Sequence, residues 1–130
     1  MDDSYRRHRS FHRDISGAAT YAASDTTATL VTVRNANSTI YIQRVIAYIT
    51  TDAAQSWTFQ DSNGTPVKVC AVTTSPGVDT RWDFDFGARG KPLTEGKNFV
   101  ISMSAAGLAG HIEWEGYSKI TTAMAVGTTN

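Results

Sequence analysis

Apolar and polar residues alternate with a period of two in several short segments of this chain. In the segment 81–86, three aromatic residues alternate with Arg81, Asp83 and Asp85. Side chains on a strand point to opposite faces in turn, so this pattern predicts a strand with one buried and one wet face. Alternation or β-branched content predicts further strands at 28–34, 39–50, 55–60, 66–72, 98–104 and 110–117.

Turn-forming residues separate these segments at intervals of roughly ten residues. Asn63-Gly64 lies between two of them and favours a hairpin, because both residues tolerate a positive φ. The glycine-rich stretch 87–96 is long enough to cross from one sheet to another. Helical periodicity is nowhere sustained over about ten residues, so the chain is predicted to be an all-β, antiparallel β-sandwich.

The segment 39–50 carries apolar residues on both parities over much of its length. Such a strand is expected to be covered on both faces, by the opposing sheet on one side and by something else on the other. A neighbouring subunit is one candidate for the second cover. The segment is therefore predicted to include a self-association surface, formed by Ile40, Tyr41, Ile42, Val45 and Ile49.

Both ends of the chain are poor in large apolar residues. Residues 1–27 are predicted to form an extended N-terminal arm, and residues 120–130 a C-terminal tail, because neither could fold alone. The sandwich domain is expected to span 28–119.

Composition agrees with one compact β domain. The chain has 130 residues, 41% hydrophobic and 18% charged, with nine Val, eight Ile and eighteen Thr against three Leu. A single Cys70 forms no internal disulfide. The formal charge is zero and no apolar run approaches the ~20 residues of a membrane span, so neither nucleic acid nor a membrane is expected as a partner.

Four carboxylates on two predicted strands could build a glycosidase pair or a hard-metal site. Each of them, however, alternates with an apolar residue, so the wet faces of half-buried strands account for all four. No metal and no catalytic residue is expected. The carboxylates are Asp83, Asp85, Glu113 and Glu115.

Three tryptophans could instead stack on sugar rings. Because all three share the apolar parity of their strands, core packing is the better interpretation. Trp57 is the expected exception, since its strand is short; the other two are Trp82 and Trp114.

Isolated residues add no convincing site. Asp61-Ser62-Asn63-Gly64 is similar to the start of a calcium loop, but the distal glutamate is missing and hairpin formation explains it. His111 has no second ligand at metal spacing. In the segment 66–72 alternation puts Val67, Val69 and Ala71 on the buried face, and Cys70 shares the parity of Lys68 on the less buried face. No cofactor is expected.

The most informative polar feature is the segment 6–13, which contains four arginines and no acid. Guanidinium groups bind carboxylates bidentately, and two aromatic residues supply apolar anchors. A solvated tail is an equal alternative, and nucleic-acid binding a weaker one because the neutral body offers no basic groove. The predicted binding residues are Tyr5, Arg6, Arg7, Arg9, Phe11 and Arg13.

The stretch 39–119 resembles the small jelly-roll proteins that decorate or cement the heads of tailed bacteriophages. The resemblance rests on Thr-Ile-Tyr-Ile-Gln-Arg-Val, on Ser-Trp-Thr-Phe-Gln-Asp-Ser-Asn-Gly-Thr-Pro-Val, on Asp-Phe-Asp-Phe-Gly-Ala-Arg-Gly-Lys-Pro-Leu-Thr-Glu-Gly and on Ser-Ala-Ala-Gly-Leu-Ala-Gly-His-Ile-Glu-Trp-Glu-Gly-Tyr. The similarity lies in the kinds of residue and the order of the segments, without a diagnostic motif. It implies a jelly roll, a dimer or trimer, and a non-enzymatic protein of the virion.

In this interpretation the partner is the major capsid protein. The chain would assemble in the host cytoplasm onto the capsid exterior, stabilising the shell by binding the lattice but not free subunits. Two alternatives remain open. One is a carbohydrate- or receptor-binding module of a phage tail or fibre, using the tryptophans. The other is a glycosidase-like enzyme using Asp83 or Glu113, for which 130 residues leave little room.

Overall fold

The computed structural model describes residues 15–21, 27–49, 54, 56–73, 80–104 and 110–122, and no helix occurs among them. Each of the seven predicted segments contains a strand whose ends lie within three residues of the prediction. The all-β prediction is confirmed. The strands are β1 (Ile15–Tyr21), β2 (Thr27–Val31), β3 (Ser38–Ile49), β4 (Ser56–Asp61), β5 (Lys68–Thr73), β6 (Thr80–Asp85), β7 (Lys91–Pro92), β8 (Phe99–Met103) and β9 (Gly110–Ile120).

The strands form two antiparallel sheets. In the first sheet the order is β1-β9-β3-β6, with the short β7 also paired to β3. In the second sheet the order is β2-β8-β4-β5. The chain changes sheet at almost every connection, and only β4–β5 and β6–β7 stay within one sheet. This order is the double Greek key of a jelly roll, so the sandwich and the jelly-roll predictions are both confirmed.

β3 and β9 form the long central pair of the first sheet. Their register shifts between Ile42 and Arg44, which leaves Gln43 as the extra residue of a bulge. Before the bulge Ile40 and Ile42 point inward, and after it Val45 and Ala47 do. The bulge therefore explains part of the apolar content on both parities, while Tyr41, Ile46 and Tyr48 lie on the outer side. A cover over that outer side stays a prediction.

The core lies between the two sheets. Large side chains of the second sheet, including Trp57, Phe59 and Phe99, have no exposed surface and pack against inward residues of β3 and β9. The rings of Phe59 and Phe99 lie 6.3 Å apart between centroids. Burying each large apolar side chain contributes about 1.5–3 kcal/mol, so this layer supplies much of the stability of the fold.

The predicted hairpin between β4 and β5 is present, but its turn is not held by a positive φ at Gly64. Instead the carboxylate of Asp61, which is 1% exposed, organises the turn. Its Oδ1 accepts hydrogen bonds from the backbone N–H groups of Asn63 and Val67 at 3.1 and 3.0 Å. Its Oδ2 accepts one from the N–H of Thr94 at 2.8 Å, which ties the hairpin to the stretch before β8.

The predicted N-terminal arm is too long. Ile15–Tyr21 forms the edge strand β1, paired with β9 from Gly116 to Gly110, and Thr27 already belongs to β2. Backbone hydrogen bonds to β9 hold this edge strand in the sheet. Such pairing does not depend on large side chains, so small residues suffice. Gly17 lies opposite Trp114, and a Cβ atom there would stand 2.6 Å from the indole ring. Low apolar content was therefore a misleading sign of an arm.

At the other end, Ile120 still belongs to β9, so the C-terminal tail begins later than predicted. The backbone N–H of Thr121 donates to the carbonyl of Asn37 at 2.8 Å, and the hydroxyls of Thr39 and Thr121 lie 2.7 Å apart. These bonds attach the chain beyond β9 to the start of β3. Residues 1–14 and 123–130 lie outside the described residues.

A second bulge changes the predicted pattern of β5. Phe59 pairs with Cys70 and Gln60 with Lys68, so Val69 is the extra residue. Val69 and Val72 are buried as a result, whereas Ala71 is exposed, although the alternation predicted it inside. Cys70 is half-buried against the core, and burial raises the pKa of its thiol to about 12. The thiol is therefore protonated and unreactive at neutral pH.

Candidate functional site

The outer face of the first sheet gathers the four carboxylates singled out above, together with His111. We use this name for the side chains of β6, β3, β9 and β1 that point away from the core. Three rows cross it in register, from β6 towards β1. They are Arg81, Tyr48 and His111; Asp83, Ile46, Glu113 and Ala18; and Asp85, Arg44, Glu115 and Ser16.

An ion pair bridges two of these rows. Arg44 donates from Nε to Oδ1 of Asp83 at 3.0 Å and from Nη2 to Oδ2 at 2.6 Å, and Nη1 of Arg81 lies 3.8 Å from the same Oδ2. The hydrogen bonds from Arg44, together with the positive charges of Arg44 and Arg81, hold the pKa of Asp83 below its ordinary value. A carboxylate held in this way stays ionised and is a poor general acid.

A second pair lies on β9, where Nε2 of His111 and Oε2 of Glu113 are 3.0 Å apart. Both side chains are about half exposed, at 43% and 52%. In the three rows together the carboxylates outnumber the guanidinium groups, four to two. The centre of the face is therefore acidic, although the chain as a whole is neutral.

A surface depression of about 340 Å³ opens between β1, β9 and β3. Ser16 and Ala18 line one side of it, and Arg44 and Ile46 the other. Two carboxylates line it as well, those of Glu113 and Glu115. The depression thus combines an apolar element with acidic groups beside an edge strand. This mixture suits a cationic chain segment better than an uncharged ligand.

Two tyrosines occupy the other end of the outer face. The rings of Tyr41 and Tyr117 stack with centroids 4.8 Å apart and planes 5° apart, and Nζ of Lys119 lies 5.3 Å from the centre of the Tyr41 ring. The hydroxyl of Tyr117 donates to the carbonyl of Arg89 at 2.6 Å. Burial, and to a smaller extent Tyr41, raises the pKa of Tyr117, so the phenol stays neutral.

The predicted self-association residues are largely not at a surface. Ile40, Ile42 and Val45 are 0% exposed inside the sandwich, so they cannot contact another subunit, and this part of the prediction was wrong. The reason is the bulge at Gln43, which brings both parities to the core. Tyr41 does lie on the outer face, half-buried in the tyrosine stack. The side chain of Ile49 lies outside the described part of the structure.

The predicted binding arm falls outside the described residues. This applies to each of its named members: Tyr5, Arg6, Arg7, Arg9, Phe11 and Arg13. Their role stays a prediction. The structure does show where the chain emerges from that segment, at Ile15 on the edge of the first sheet.

The predictions for the acids and tryptophans can be compared with their positions directly. The four carboxylates lie on the outer face, as expected for wet faces. Trp57 and Trp114 are buried at 0% and 8% exposure, which confirms core packing but reverses the expected exception. Trp82 is the half-buried one, because it lies on an edge strand. It stacks on Phe84, with planes 4° apart.

Sequence reasoning missed Arg44, Ile46 and Tyr48, which form the middle of the outer face. The alternation within β3 could have identified them only if the bulge had been recognised. Among the described residues no group of three or more His, Cys, Asp and Glu side chains is placed to hold a metal ion. Nor does the described part of the chain include a helix that could cross a bilayer.

No protein-family model and no curated protein matches the sequence. Among solved structures, the chain is similar to the extra small virus VLP of the giant freshwater prawn Macrobrachium rosenbergii, with 13% identity, a TM-score of 0.41 and coverage of 79% of this chain and 78% of that one. It is similar to the Tobacco streak virus coat protein dimer, with 16% identity, a TM-score of 0.38 and coverage of 84% and 89%.

A third similar structure is that of Bacillus endospore appendages, described as disulfide-linked pili, with 12% identity, a TM-score of 0.40 and coverage of 79% and 87%. All three TM-scores lie below 0.5. The fold assignment therefore rests on the strand order described above.

Proposed function

We propose that this chain is a non-enzymatic structural protein of a virus particle, and that it decorates the exterior of a phage capsid. The observation that carries the proposal is the outer face of the first sheet. It presents mixed charges and tyrosines on a rigid pair of long strands, β3 and β9. Complementary charges on such a face favour specific contact with another protein surface.

In the proposed arrangement the partner is the major capsid protein. The segment 6–13 pairs its arginines with acidic patches of the capsid, with Tyr5 and Phe11 as anchors. The jelly-roll body stays folded in solution and docks as a unit, and a dimer or trimer would hold several capsid subunits at once. Binding the assembled lattice but not free subunits then stabilises the shell.

The enzymatic alternative has lost its main support. A glycosidase needs one carboxyl group that can give up a proton to the leaving oxygen. Asp83 is held ionised by Arg44, and Glu113 is already bonded to His111. Neither side chain is enclosed, since Asp83 and Glu113 are 32% and 52% exposed.

The first test is whether the chain copurifies with virus shells in a fixed ratio to a major shell protein. We expect a fixed ratio that survives gradient sedimentation. Absence of the chain from such shells would contradict the proposal, and a location on tails or fibres would favour the alternative below.

The second test concerns the arm. Replacing Arg6, Arg7, Arg9 and Arg13 with Ser, or deleting residues 1–14, should weaken shell binding while the melting temperature stays near that of the parent chain. Exchanging Arg34, Lys68, Arg89 and Lys97 for Ser is a matched control, because it removes the same four positive charges from exposed or half-buried positions of the body. Unchanged binding of the arginine variant would remove the arm from the mechanism.

One observation favours a second candidate, a carbohydrate- or receptor-binding module of a tail or fibre. Trp82 and Phe84 of the edge strand β6, together with Phe86 directly after it, form a half-buried stack with neighbouring ring centroids 6.3 and 6.4 Å apart. Flat aromatic faces of this kind can stack on sugar rings. Glycan-array binding that is lost in Trp82→Ala, without loss of fold, would support this candidate over decoration.

A further inference from the structure

We propose that the basic segment 6–13 docks on the outer face of the first sheet of its own chain, in the depression between β1, β9 and β3. The occupant is thus a named part of this chain that precedes the described residues. The contact would form in the free protein, whether or not the eventual partner is a capsid.

The first argument is position. The described chain begins at Ile15, and Ser16 and Ala18 of the same strand line the depression. Arg13 lies only two residues before Ile15. Eight extended residues span at most about 28 Å, whereas a four-stranded sheet is about 15 Å across. The segment is therefore long enough to cross the entire face after one reversal of the chain.

The second argument is charge. Residues 6–13 carry four arginines without an acid. The three rows of the face carry four carboxylates against two guanidinium groups, and Lys119 lies at the other end of the face. Glu113 already accepts one hydrogen bond from His111, but an ionised carboxylate offers about four acceptor sites. A guanidinium group can therefore join this pair without displacing it.

The third argument is that the face offers more than charge. Ile46 lies between Asp83 and Glu113 in its row, and Tyr48 in the next row is 41% exposed. These apolar surfaces give Phe11 a place to pack between the arginines. Because the segment and its binding face belong to one chain, their effective concentration is high, and individually weak pairs suffice to keep the segment bound.

Docking of this kind would couple the arm to its partner. A stronger acidic surface would have to compete with the chain's own carboxylates before the arm could bind elsewhere. The acidic face would then select partners whose charge density exceeds its own.

An arginine-specific protease tests the contact on the full chain, since it cuts after Arg6, Arg7, Arg9 and Arg13. In the variant Glu113→Gln/Glu115→Gln we expect cleavage in this segment to become about tenfold faster than in the parent chain. The matched control is Thr29→Lys/Ala71→Lys, which changes the net charge by the same amount on exposed positions of the second sheet. The control should be cleaved at the parent rate.

Equal cleavage rates in the parent and the Gln variant would overturn the proposal. Faster cleavage in the control as well would also overturn it, because net charge and not the face would then govern access. Circular dichroism and the melting temperature establish that each variant is folded.

Crosslinking separates a contact within one chain from a contact between copies. Arg9→Lys places an amine in the segment, and a carbodiimide can join it directly to Glu113 or Glu115. In a mixture of ¹⁴N- and ¹⁵N-labelled full chains we expect crosslinked peptides of one isotope only. Mixed-isotope peptides, with a doubled mass in solution, would mean that the segment binds a second copy, and the proposal as stated would fail.

Discussion

The two faces of strand β3 differ in both polarity and burial. The inner face carries Ile40, Ile42, Val45 and Ala47, each 0% exposed. The outer face carries Tyr41, Arg44, Ile46 and Tyr48, which are half-buried or exposed. The same twelve-residue strand thus contributes to the core on one side and to a charged binding surface on the other.

The comparison teaches that a change of parity within a strand can mark a bulge. A strand that is covered on both faces and a strand with one bulge show the same sequence pattern, with apolar residues on both parities. In β3 the extra residue Gln43 exchanges the parities halfway along, so that Ile40, Ile42, Val45 and Ala47 all point inward. The outer face is then free to carry charges, and it is this face that the proposed function uses.

The largest effect on stability is expected inside the core. One pair of substitutions on β3 compares its two faces. Ile42→Ala should lower the free energy of unfolding by about 2–5 kcal/mol, because it leaves a cavity in the core. Ile46→Ala on the outer face should change it by less than about 1 kcal/mol. Chemical denaturation with a common slope measures both. Similar losses for the two variants would contradict the assignment of the faces.

A smaller effect is expected at Asp61, a charged residue on the inward parity of β4. Asp61→Asn should lower the free energy of unfolding by about 1–3 kcal/mol at neutral pH, because an amide cannot accept from all three backbone N–H groups. Asp85→Asn, on the outer face, is the control and should cost less than about 0.5 kcal/mol. Thermal melts of both variants provide the measurement.

The same residue predicts a pH dependence. Burial disfavours the charged form of Asp61, but hydrogen bonds from Thr94, Val67 and Asn63 outweigh it and keep its pKa below the ordinary value. Its contribution is therefore present above the unfolded-state pKa, about 3.9, and is lost as the pH falls through the lower folded-state pKa. The parent chain should lose stability over that range, and Asp61→Asn should lose less of it. Parallel acid titration curves would contradict this.

The smallest effect concerns the ion pair on the outer face. Arg44→Ala should raise the pKa of Asp83 towards its ordinary value, because the hydrogen bonds and the charge of Arg44 hold it down. Carbon-detected NMR titration of the side-chain carboxyl measures the shift directly. The melting temperature should hardly change, since solvent screens an exposed pair. An unchanged Asp83 pKa would show that the pair does not form in solution.

Much of the fold could be predicted from the sequence, and the failures share a cause. Alternation identified seven strands, because each has one face in the core and side chains obey a period of two. It missed β1, whose Gly17 and Ala18 carry no apolar signal. It also placed Ala71 on the buried face of β5, since no sequence pattern indicates the bulge at Val69.

The site was less predictable than the fold. The four outward carboxylates followed from alternation, but their arrangement with Arg44 depends on the pairing of β6, β3 and β9, strands far apart in sequence. The buried position of Asp61 and its bond to Thr94 likewise join segments that the sequence separates. No local pattern encodes such pairings.

By itself the sequence determined that the chain is a β-sandwich, because β-branched residues, alternation and turn residues act locally along each strand. Only the tertiary structure decided where a bulge exchanges the two faces of a strand and which charges stand side by side. The reason is physical: register and bulges depend on how distant strands hydrogen-bond to one another, and a shift of one residue turns every later side chain to the opposite face.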